Sequence, residues 1–376
     1  MYNLILRDKQ LVWLVIGAIL ITSCRSMDIP SLEAVPVFSE RPKNIVLLIG
    51  DGMGLSQIST LVYSQKEPSS FEQFTSVGFH KSHSWSDLIT DSAAGATAFA
   101  CGVKTFNNAI GMNKDTQRVL SILEEAEQAG MSTGLVATAS IVHATPAAFI
   151  AHQPMRTMYE AIAADFLNTE IDFFLGGGQD YFESRVTDKR NLVEELRKNN
   201  YVVLQDYNGF IPKKFNPEKN FAFFTAGNHP AAATGGRNYL PAAATLALNF
   251  LELHDTKGFF LLIEGSQIDW AGHANDGYML KKEMLDFDRT VSRVLDYAKR
   301  KGDTLVIVTA DHETGGMALQ PGSRMGNIKA AFTTNGHSAS LVPVFAFGPG
   351  ADLFTGIYEN TAIHQKMREA LGLDEQ

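Results

Sequence analysis

The sequence predicts an α/β protein, a three-layer sandwich in which helices cover both faces of a mostly parallel central sheet. Six apolar runs of strand length alternate with helical patterns from residue 44 onward. These runs are continuously apolar, as is typical of strands buried on both faces of a sheet. Several intervening helical patterns end at a glycine, the usual residue just past a helix C-terminus. Together these features favour parallel strands joined by crossover helices.

The predicted strands and helices follow directly from these patterns. The strands are residues 44–50, 132–140, 172–178, 258–265, 303–310 and 342–350. The clearest helices cover residues 117–130 and 280–302. Residues 181–230 are less regular, and we expect them to form a peripheral excursion from the sheet.

Composition narrows the possible partners. A chain of 376 residues with 45% hydrophobic residues is long enough for one large domain or two ordinary ones. The formal net charge of -9 argues against nucleic acid as a specific partner.

The N-terminus resembles a bacterial lipoprotein signal. Arg7 and Lys9 precede the apolar run "LVWLVIGAILIT", which leads into "ITSC" at Cys24. We expect residues 1–23 to be a signal peptide and Cys24 to carry lipid. The protein is then extracytoplasmic and anchored to a bacterial membrane, at the periplasmic or outer-membrane face. An ordinary secretory signal with a chance cysteine is the alternative.

Residues 24–43 are polar and proline-containing, so we expect them to be a tether before a single catalytic domain at residues 44–376. If Cys24 carries lipid, Cys101 is the one cysteine left and has no disulfide partner. Its apolar context, "AFACG", favours a buried packing residue over a nucleophile.

Polar residues follow the predicted strands at the points where these end. Asp51 follows the first strand within "GDGMG", Glu264 lies near the end of the fourth, and Asp311 and His312 follow the fifth. The carboxyl ends of parallel strands are where α/β proteins build their sites. We therefore expect these side chains to converge.

The spacing of further ligand-type residues favours a metal site. Asp269 and His273 are four residues apart, which places both on one face of a helical turn, and His337 lies in a glycine-flanked loop. Singly, an Asp at a strand end is usually a helix cap and a His is usually structural. Four clustered carboxylates, however, would repel one another strongly without cations. Mixed carboxylate and imidazole ligands suit Zn²⁺, and all-oxygen sites suit Mg²⁺.

A candidate nucleophile lies in "TDSAAGATA". Ser92 is expected at a helix N-terminus, where free N–H groups favour an anion. On its own, this motif is equally a plain cap in which Asp91 or Ser92 accepts a backbone hydrogen bond. Beside a metal cluster, Ser92 becomes a candidate alkoxide.

Six motifs in this order resemble the alkaline phosphatase family: "GDGMG", "TDSAAGATA", "HATPA", "EGSQIDWAGH", "TADHETGG" and "GHS". The resemblance spans residues 44–350. It implies that family's α/β sandwich, two zinc ions and one magnesium ion, and hydrolysis of phosphate monoesters through a phosphorylated serine.

The resemblance assigns three ligands to each zinc ion: Asp269, His273 and His337 to the first, and Asp51, Asp311 and His312 to the second. Ser92 would contact the second zinc, which lowers its pKa. Asp51 would also reach the magnesium, with Thr145 and Glu264. Arg156 would clamp the phosphate, and Asp91 would orient that arginine.

His143 and Trp270 mark the third metal and substrate site, where members of the family differ. In one alternative, both residues lie next to the ligands of a magnesium site without binding the ion themselves. In the other, His143 makes that site accept Zn²⁺ or Co²⁺. The compact chain leaves the oligomeric state open, with a dimer as one option.

Two rival functions differ in their chemistry. A related phosphodiesterase would share the zinc ligands but generally lack the Arg156 clamp. A non-enzymatic lipoprotein could bind phosphate compounds through metal without turnover, although it would not need Ser92. The glycine motifs do not have the spacing of a dinucleotide-binding loop.

Overall fold

The computed structural model describes residues 38–207, 215–216, 218–254 and 257–373. The predicted signal peptide, the lipidation site at Cys24 and most of the predicted tether lie outside these residues. In the described part of the chain, no helix is both long and apolar enough to cross a membrane.

Ten strands form one sheet, in the order β14-β2-β13-β8-β1-β7-β3-β4-β6-β5. The strands are β1 Asn44–Gly50, β2 Ser76–Lys81, β3 Ser132–Ser140, β4 Phe173–Gly177, β5 Tyr201–Leu204, β6 Asn220–Phe224, β7 Phe259–Gly265, β8 Thr304–Thr309, β13 Val342–Phe347 and β14 Gly356–Glu359. From β8 to β5 all neighbours are parallel, and β13 alone runs antiparallel to both of its neighbours. The mostly parallel sheet is therefore confirmed, as are all six predicted strands.

Helices cover both faces of this sheet. They are α1 Leu55–Ser64, α2 Ser92–Cys101, α3 Ile122–Gln128, α4 Ala144–Ala147, α5 Tyr159–Asp165, α6 Asp180–Glu183, α7 Leu192–Lys198, α8 Leu240–His254, α9 Gln267–His273, α10 Gly277–Lys301 and α11 Thr361–Leu371. Short 3₁₀ turns lie at Ser70–Gln73, Ala233–Gly235 and Ala351–Phe354. Both predicted helices exist, although α3 is shorter than the pattern from 117 to 130.

Alternate residues of β1 enter two separate apolar cores, one on each face of the sheet. Ile45 and Leu47 pack with α2, α3 and α11, whereas Val46 and Leu48 pack with α1, α8 and α10. All four side chains are fully buried. Because both faces of the strand are covered, β1 reads as a continuous apolar run, and the three-layer sandwich is confirmed.

The expectation for residues 181–230 is wrong in one respect. This region contains α7 and also supplies β5 and β6, which extend the parallel sheet beyond β4. Both strands are short, with five residues at most, so their apolar runs did not stand out from the surrounding loops.

The chain enters the sandwich at the amino end of β1. The Phe38 ring meets Phe347 edge-on at 5.3 Å, and the Ser39 N–H donates to the Gly302 carbonyl. The last residues of the predicted tether therefore contact the domain. Cys101 is a free buried cysteine, as expected, and burial raises the pKa of its thiol well above the usual value.

Two short ribbons carry site residues beyond the sheet. Strand β9 Glu313–Thr314 pairs antiparallel with β12 His337–Ser338, and β10 Ala318–Leu319 pairs with β11 Ala330–Ala331. The first ribbon brings His337 back beside the end of β8.

Candidate active site

The site lies at the carboxyl ends of three adjacent strands. Asp51 follows β1, Glu264 is the next-to-last residue of β7, and Asp311 and His312 follow β8. Strands β7, β1 and β8 are direct neighbours in the sheet, so these four side chains converge. All four are fully buried.

Gly52 lets the chain pass closely between these groups. Its φ of 71° lies in the left-handed region, and a Cβ there would stand 2.7 Å from the Thr314 hydroxyl and 2.8 Å from the Asp269 Cα. Helix α1 starts only at Leu55, and its N-cap is Gly54, without a side-chain hydrogen bond. Asp51 therefore does not cap that helix, which removes the structural explanation for a buried carboxylate here.

The first donor group consists of Asp269, His273 and His337. The Nε2 atoms of the two histidines are 3.1 Å apart, and they lie 3.3 and 3.6 Å from the Asp269 oxygens. Their Nδ1 atoms contact the carbonyls of Asn335 and Thr90 at 2.6 and 2.8 Å. Nδ1 must donate to a carbonyl, which leaves each Nε2 lone pair free to coordinate a cation.

The second donor group consists of Asp51, Asp311 and His312. His312 Nε2 lies 3.3 Å from Asp311 Oδ2 and 3.6 Å from Asp51 Oδ1. Thr314 Oγ1 donates to Asp269 and lies 3.2 Å from His312 Nδ1. Since the threonine hydrogen is already used, Nδ1 donates to Thr314, and Nε2 again presents a lone pair to the group.

A third donor group combines Asp51 with Glu264 and His143. Asp51 thus belongs to two groups at once. Glu264 accepts a hydrogen bond of 2.7 Å from Ser266, and Thr145 lies beside Glu264 with its hydroxyl unpaired. His143 lies beside the oxygen ligands expected for this position, where the sequence left it either as a neighbour of a magnesium site or as the residue that makes the site accept Zn²⁺ or Co²⁺.

Six buried polar atoms at this site have no hydrogen-bond partner. They are both Asp51 carboxylate oxygens, Asp311 Oδ2, Glu264 Oε1, Thr145 Oγ1 and His143 Nδ1. Buried oxygens with no donor are costly, and a bound cation removes that cost. The residues therefore fit divalent metal ions.

The pKa values of the carboxyl groups show the same need for positive charge. Burial, followed by the charges of Asp311 and Asp269, raises the pKa of Asp51 well above its ordinary value. Burial raises the pKa of Glu264 to about 8 and that of Asp311 to about 6. Without cations, Glu264 therefore keeps its proton at neutral pH in the folded protein.

Asp269 and its histidines behave differently because they pair with each other. Burial acts to raise the pKa of Asp269, but the hydrogen bond from His273 and the neighbouring histidines hold it below its ordinary value. The same hydrogen bond raises the pKa of His273 to about 9. Burial lowers the pKa of His312 to about 3, which keeps its ring neutral and able to act as a ligand.

Ser92 is the first residue of α2, beside the second donor group. Its Oγ lies 3.3 Å from His312 Nε2, and the side chain is buried. Asp91 is the N-cap and accepts the Ala94 N–H at 3.0 Å. Asp91 therefore takes the capping role, and the Ser92 hydroxyl remains directed at the donor group.

Arg156 lies on the other side of Asp91. Its Nη1 donates to Asp91 Oδ2 at 3.1 Å, and its Nη2 lies 3.4 Å from His143 Nε2. About a fifth of this guanidinium side chain is exposed, so an anion can reach it. Trp270 meets the His143 ring edge-on at 6.2 Å and forms the adjoining wall.

Two residues of the site were not singled out from the sequence. Thr314 lies within the motif "TADHETGG", two positions after His312, so that motif was a usable signal. His229 contacts the rings of Trp270 and His143 edge-on, at 4.9 and 5.6 Å. It lies in an irregular loop far from both in sequence, and nothing in the sequence pointed to it.

Comparison with known proteins identifies relatives of this chain. The family model for alkaline phosphatase matches residues 42–331. Alkaline phosphatase 3 of Bacillus subtilis (strain 168) is 32% identical, covering 88% of this chain and 89% of its own. The solved alkaline phosphatase of the Antarctic bacterium TAB5 is 44% identical, with a TM-score of 0.83, covering 89% of this chain and 98% of its own.

A variant of that Antarctic enzyme has a histidine replaced by aspartate and holds Mg in its M3 site. It is 43% identical to this chain, with a TM-score of 0.82, over 89% of this chain and 99% of its own. The chain belongs to the alkaline phosphatase family. It is a phosphoric monoester hydrolase that uses divalent metal ions and acts on small phosphate monoesters.

Proposed function

We propose that this protein hydrolyses phosphate monoesters to an alcohol and inorganic phosphate through a phosphoserine on Ser92. One observation carries the proposal. The Ser92 hydroxyl, at the N-terminus of α2, faces a group of buried carboxylates and imidazoles, and Arg156 stands beside it. This arrangement combines a nucleophile, cation ligands and an anion clamp around one point.

The side chains divide the work between attack and positioning. The Ser92 oxygen attacks phosphorus as its proton passes to solvent, the bond to the ester oxygen breaks on the opposite side of the phosphoryl group, and the leaving alkoxide takes up a proton from solvent. The N-terminal N–H groups of α2 and the guanidinium of Arg156 stabilise the negative charge on the non-bridging phosphoryl oxygens. Asp91 fixes Arg156 in that orientation. Water then attacks the phosphoserine in a second in-line step, which releases phosphate and restores the serine.

For the metals, we propose Zn²⁺ in the first two donor groups. Asp269, His273 and His337 would hold one ion, and Asp51, Asp311 and His312 the other, with Ser92 as a further ligand. Mixed imidazole and carboxylate ligands favour Zn²⁺. Two such ions would lower the pKa of the Ser92 hydroxyl and of water, and would stabilise negative charge on the entering and leaving oxygens.

The third group has two open assignments. Asp51, Glu264 and Thr145 supply oxygen ligands that suit Mg²⁺. His143 adds a nitrogen ligand, and we propose that it makes this position accept Zn²⁺ or Co²⁺. Support comes from the unpaired, buried Nδ1 of His143. The Antarctic relative is consistent with this, because its variant with Mg bound carries aspartate in place of a histidine.

The activity is tested by turnover of matched substrates. Purified, metal-analysed protein should hydrolyse p-nitrophenyl phosphate much faster than bis-p-nitrophenyl phosphate. A preference for the diester would favour the phosphodiesterase alternative. Stoichiometric phosphate binding without turnover by fully metal-loaded protein would favour the binding lipoprotein.

For location, we propose a lipoprotein with a signal peptide at 1–23, lipid on Cys24, a tether at 24–43 and one catalytic domain at 44–376. Its support is the "ITSC" pattern and the position at which the chain joins the domain. Phe38 and Ser39 contact Phe347 and Gly302 at the end of the sheet where β8 begins, opposite to the site, so a tether there leaves the site accessible. The protein would work outside the cytoplasm, at a bacterial membrane. A monomer and a dimer both remain compatible with this proposal.

A further inference from the structure

Arg156 lies on an irregular segment, residues 148–158, between α4 and α5. We call this segment the clamp loop. A guanidinium that makes a bidentate contact with a phosphoryl group has to be positioned to within a fraction of an ångström, and Arg156 has no helix or strand of its own to position it. The clamp loop instead pairs with residues 108–111. Ile110 and Gln153 exchange two backbone hydrogen bonds of 2.9 and 3.0 Å, and the Arg156 N–H donates to the Asn108 carbonyl at 2.8 Å.

The partner segment has an uncommon backbone. Asn108 and Gly111 have φ values of 77° and 57°. A Cβ on Gly111 would lie 2.2 Å from the Ala151 carbonyl oxygen, so the two segments touch as closely as glycine allows. A non-glycine residue in the left-handed region needs surrounding contacts to hold it there. At one end, Asp91 provides such a contact by accepting the Asn108 N–H at 3.1 Å.

At the other end, His152 joins the two segments to a buried carboxylate. Its Nδ1 lies 2.7 Å from the Gly111 carbonyl oxygen. Its Nε2 lies 3.1 Å from both oxygens of Glu124. Both contacts are hydrogen bonds only if both ring nitrogens carry a hydrogen, which is the imidazolium form. The His152 ring therefore bridges residues 108–111 to the first turn of α3.

Glu124 is a rigid attachment point. Its side chain is 3% exposed, and it forms a reciprocal capping pair with Ser121 at the start of α3. Arg118 and Thr169 also donate to it. Burial acts to raise the pKa of Glu124, but the hydrogen bonds from His152 and Ser121 keep it below its ordinary value. Glu124 is therefore charged and needs a donor at His152.

We propose that the His152–Glu124 ion pair is a positioning device for the phosphate clamp, which holds the clamp loop against residues 108–111 and so sets the affinity for the phosphoryl group. The inference rests on the proposed role of Arg156. His152 donates to the Gly111 carbonyl and to Glu124, and its own N–H donates to Asp165, so it acts through the loop. It is a positioning residue and has no contact with substrate in this arrangement.

The chain contains a matched control pair. Glu125, the next residue of α3, faces His364 of α11 at 4.0 Å, and the His364 Nδ1 lies 2.9 Å from the Ala100 carbonyl oxygen. Both histidine side chains are less than a tenth exposed. The contact of His364 with Ala100 lies at the C-terminal end of α2, outside the clamp loop. Its loss should lower stability without changing phosphate affinity.

The test measures inorganic phosphate binding to metal-loaded protein by calorimetry, with KM for p-nitrophenyl phosphate as a second readout. We expect His152→Ala to weaken phosphate binding roughly tenfold, because a small misplacement of a clamp costs that much or more. His152→Gln, which keeps amide N–H donors, should recover part of the loss. His364→Ala should stay within about twofold of the wild type. Metal content should be unchanged in all variants.

Repeating the measurement in Arg156→Ala protein separates an effect on the position of Arg156 from a general disruption of the fold. If His152 acts through Arg156, the roughly tenfold effect of His152→Ala should disappear in Arg156→Ala protein. A persistent effect there would overturn the proposal, and so would an equal loss in His364→Ala or unchanged binding in His152→Ala. If His152→Ala fails to fold, His152→Gln and Glu124→Gln carry the same comparison. Wild-type protein without monoester turnover would refute the proposed function, whereas normal turnover without a His152 effect would refute this inference alone.

Discussion

Removing the metals should reverse the way that stability depends on pH. In the metal-free protein, burial and neighbouring carboxylates raise the pKa of Glu264 from 4.5 to about 8 and that of Asp311 from 3.8 to about 6. In the unfolded chain both groups return to their ordinary values. The folded state therefore holds more protons between those limits, and its stability falls as pH rises from about 4 to about 8.

The size of the effect follows from the larger shift. A rise from 4.5 to about 8 for Glu264 corresponds to at most about 5 kcal/mol, at about 1.4 kcal/mol for each pH unit. The Asp311 shift shares part of the same repulsion, so the two are not additive. For a domain of this size, a loss of several kcal/mol lowers Tm by on the order of 10 °C between pH 5 and pH 8. With metals bound, protons compete with the ions, so stability should stay level or rise with pH.

Thermal unfolding with and without chelator, at pH 5 and pH 8, measures both slopes. Glu127 provides an internal control, because burial and Asp172 raise its pKa to about 8 near the amino end of β3, at the end of the sheet away from the site. Glu127→Gln should reduce the pH slope equally with and without metal. Glu264→Gln should reduce the slope of the metal-free protein specifically. Identical slopes in the presence and absence of metal would refute the electrostatic account of the site.

Three further predictions concern single residues. Arg156→Ala should lower kcat/KM for p-nitrophenyl phosphate by a factor equivalent to about 2–4 kcal/mol of transition-state stabilisation, while leaving diester hydrolysis nearly unchanged. Equal losses for both substrates would argue against a phosphate clamp. His143→Asp should shift the third site toward Mg²⁺, measured by titrating Mg²⁺ or Co²⁺ into protein that already holds two Zn²⁺; a wild type that prefers Mg²⁺, with the same ranking in the variant, would contradict the assignment. Cys24→Ala should release active protein into the soluble extracytoplasmic fraction, unless the wild type is already soluble with an unlipidated N-terminus.

Burial on both faces made most of the predicted strands recognisable, although β6, which is also buried, was missed. β1 and β7 are wholly buried and mostly apolar strands of seven residues that end in glycine, and such a run is a clear strand signal. β14 is an edge strand of four residues, none of them fully buried, and its neighbour β2 has only two buried residues out of six. Their patterns are too short to stand apart from loops, because the contacts that make them strands come from distant residues.

The site shows the same division between local and long-range information. Asp311 and His312 are adjacent, and Asp269 and His273 share a helical turn, so local spacing was enough to suggest ligands. The contact of His229 with Trp270, and the bridge from His152 to Glu124, join segments that are far apart in the chain. Such pairs depend on how loops fold back over the sheet, which hydrophobic patterns do not encode.

The most direct test of the central claim is to trap the phosphoryl group on the enzyme. Metal-loaded protein is incubated with labelled phosphate at acid pH, quenched, digested and examined by mass spectrometry. The proposed function requires the label on the peptide that contains Ser92, and both label and monoester turnover should be lost in Ser92→Ala. Label on any other residue, or full monoester turnover by Ser92→Ala, would contradict a phosphoserine mechanism at this site.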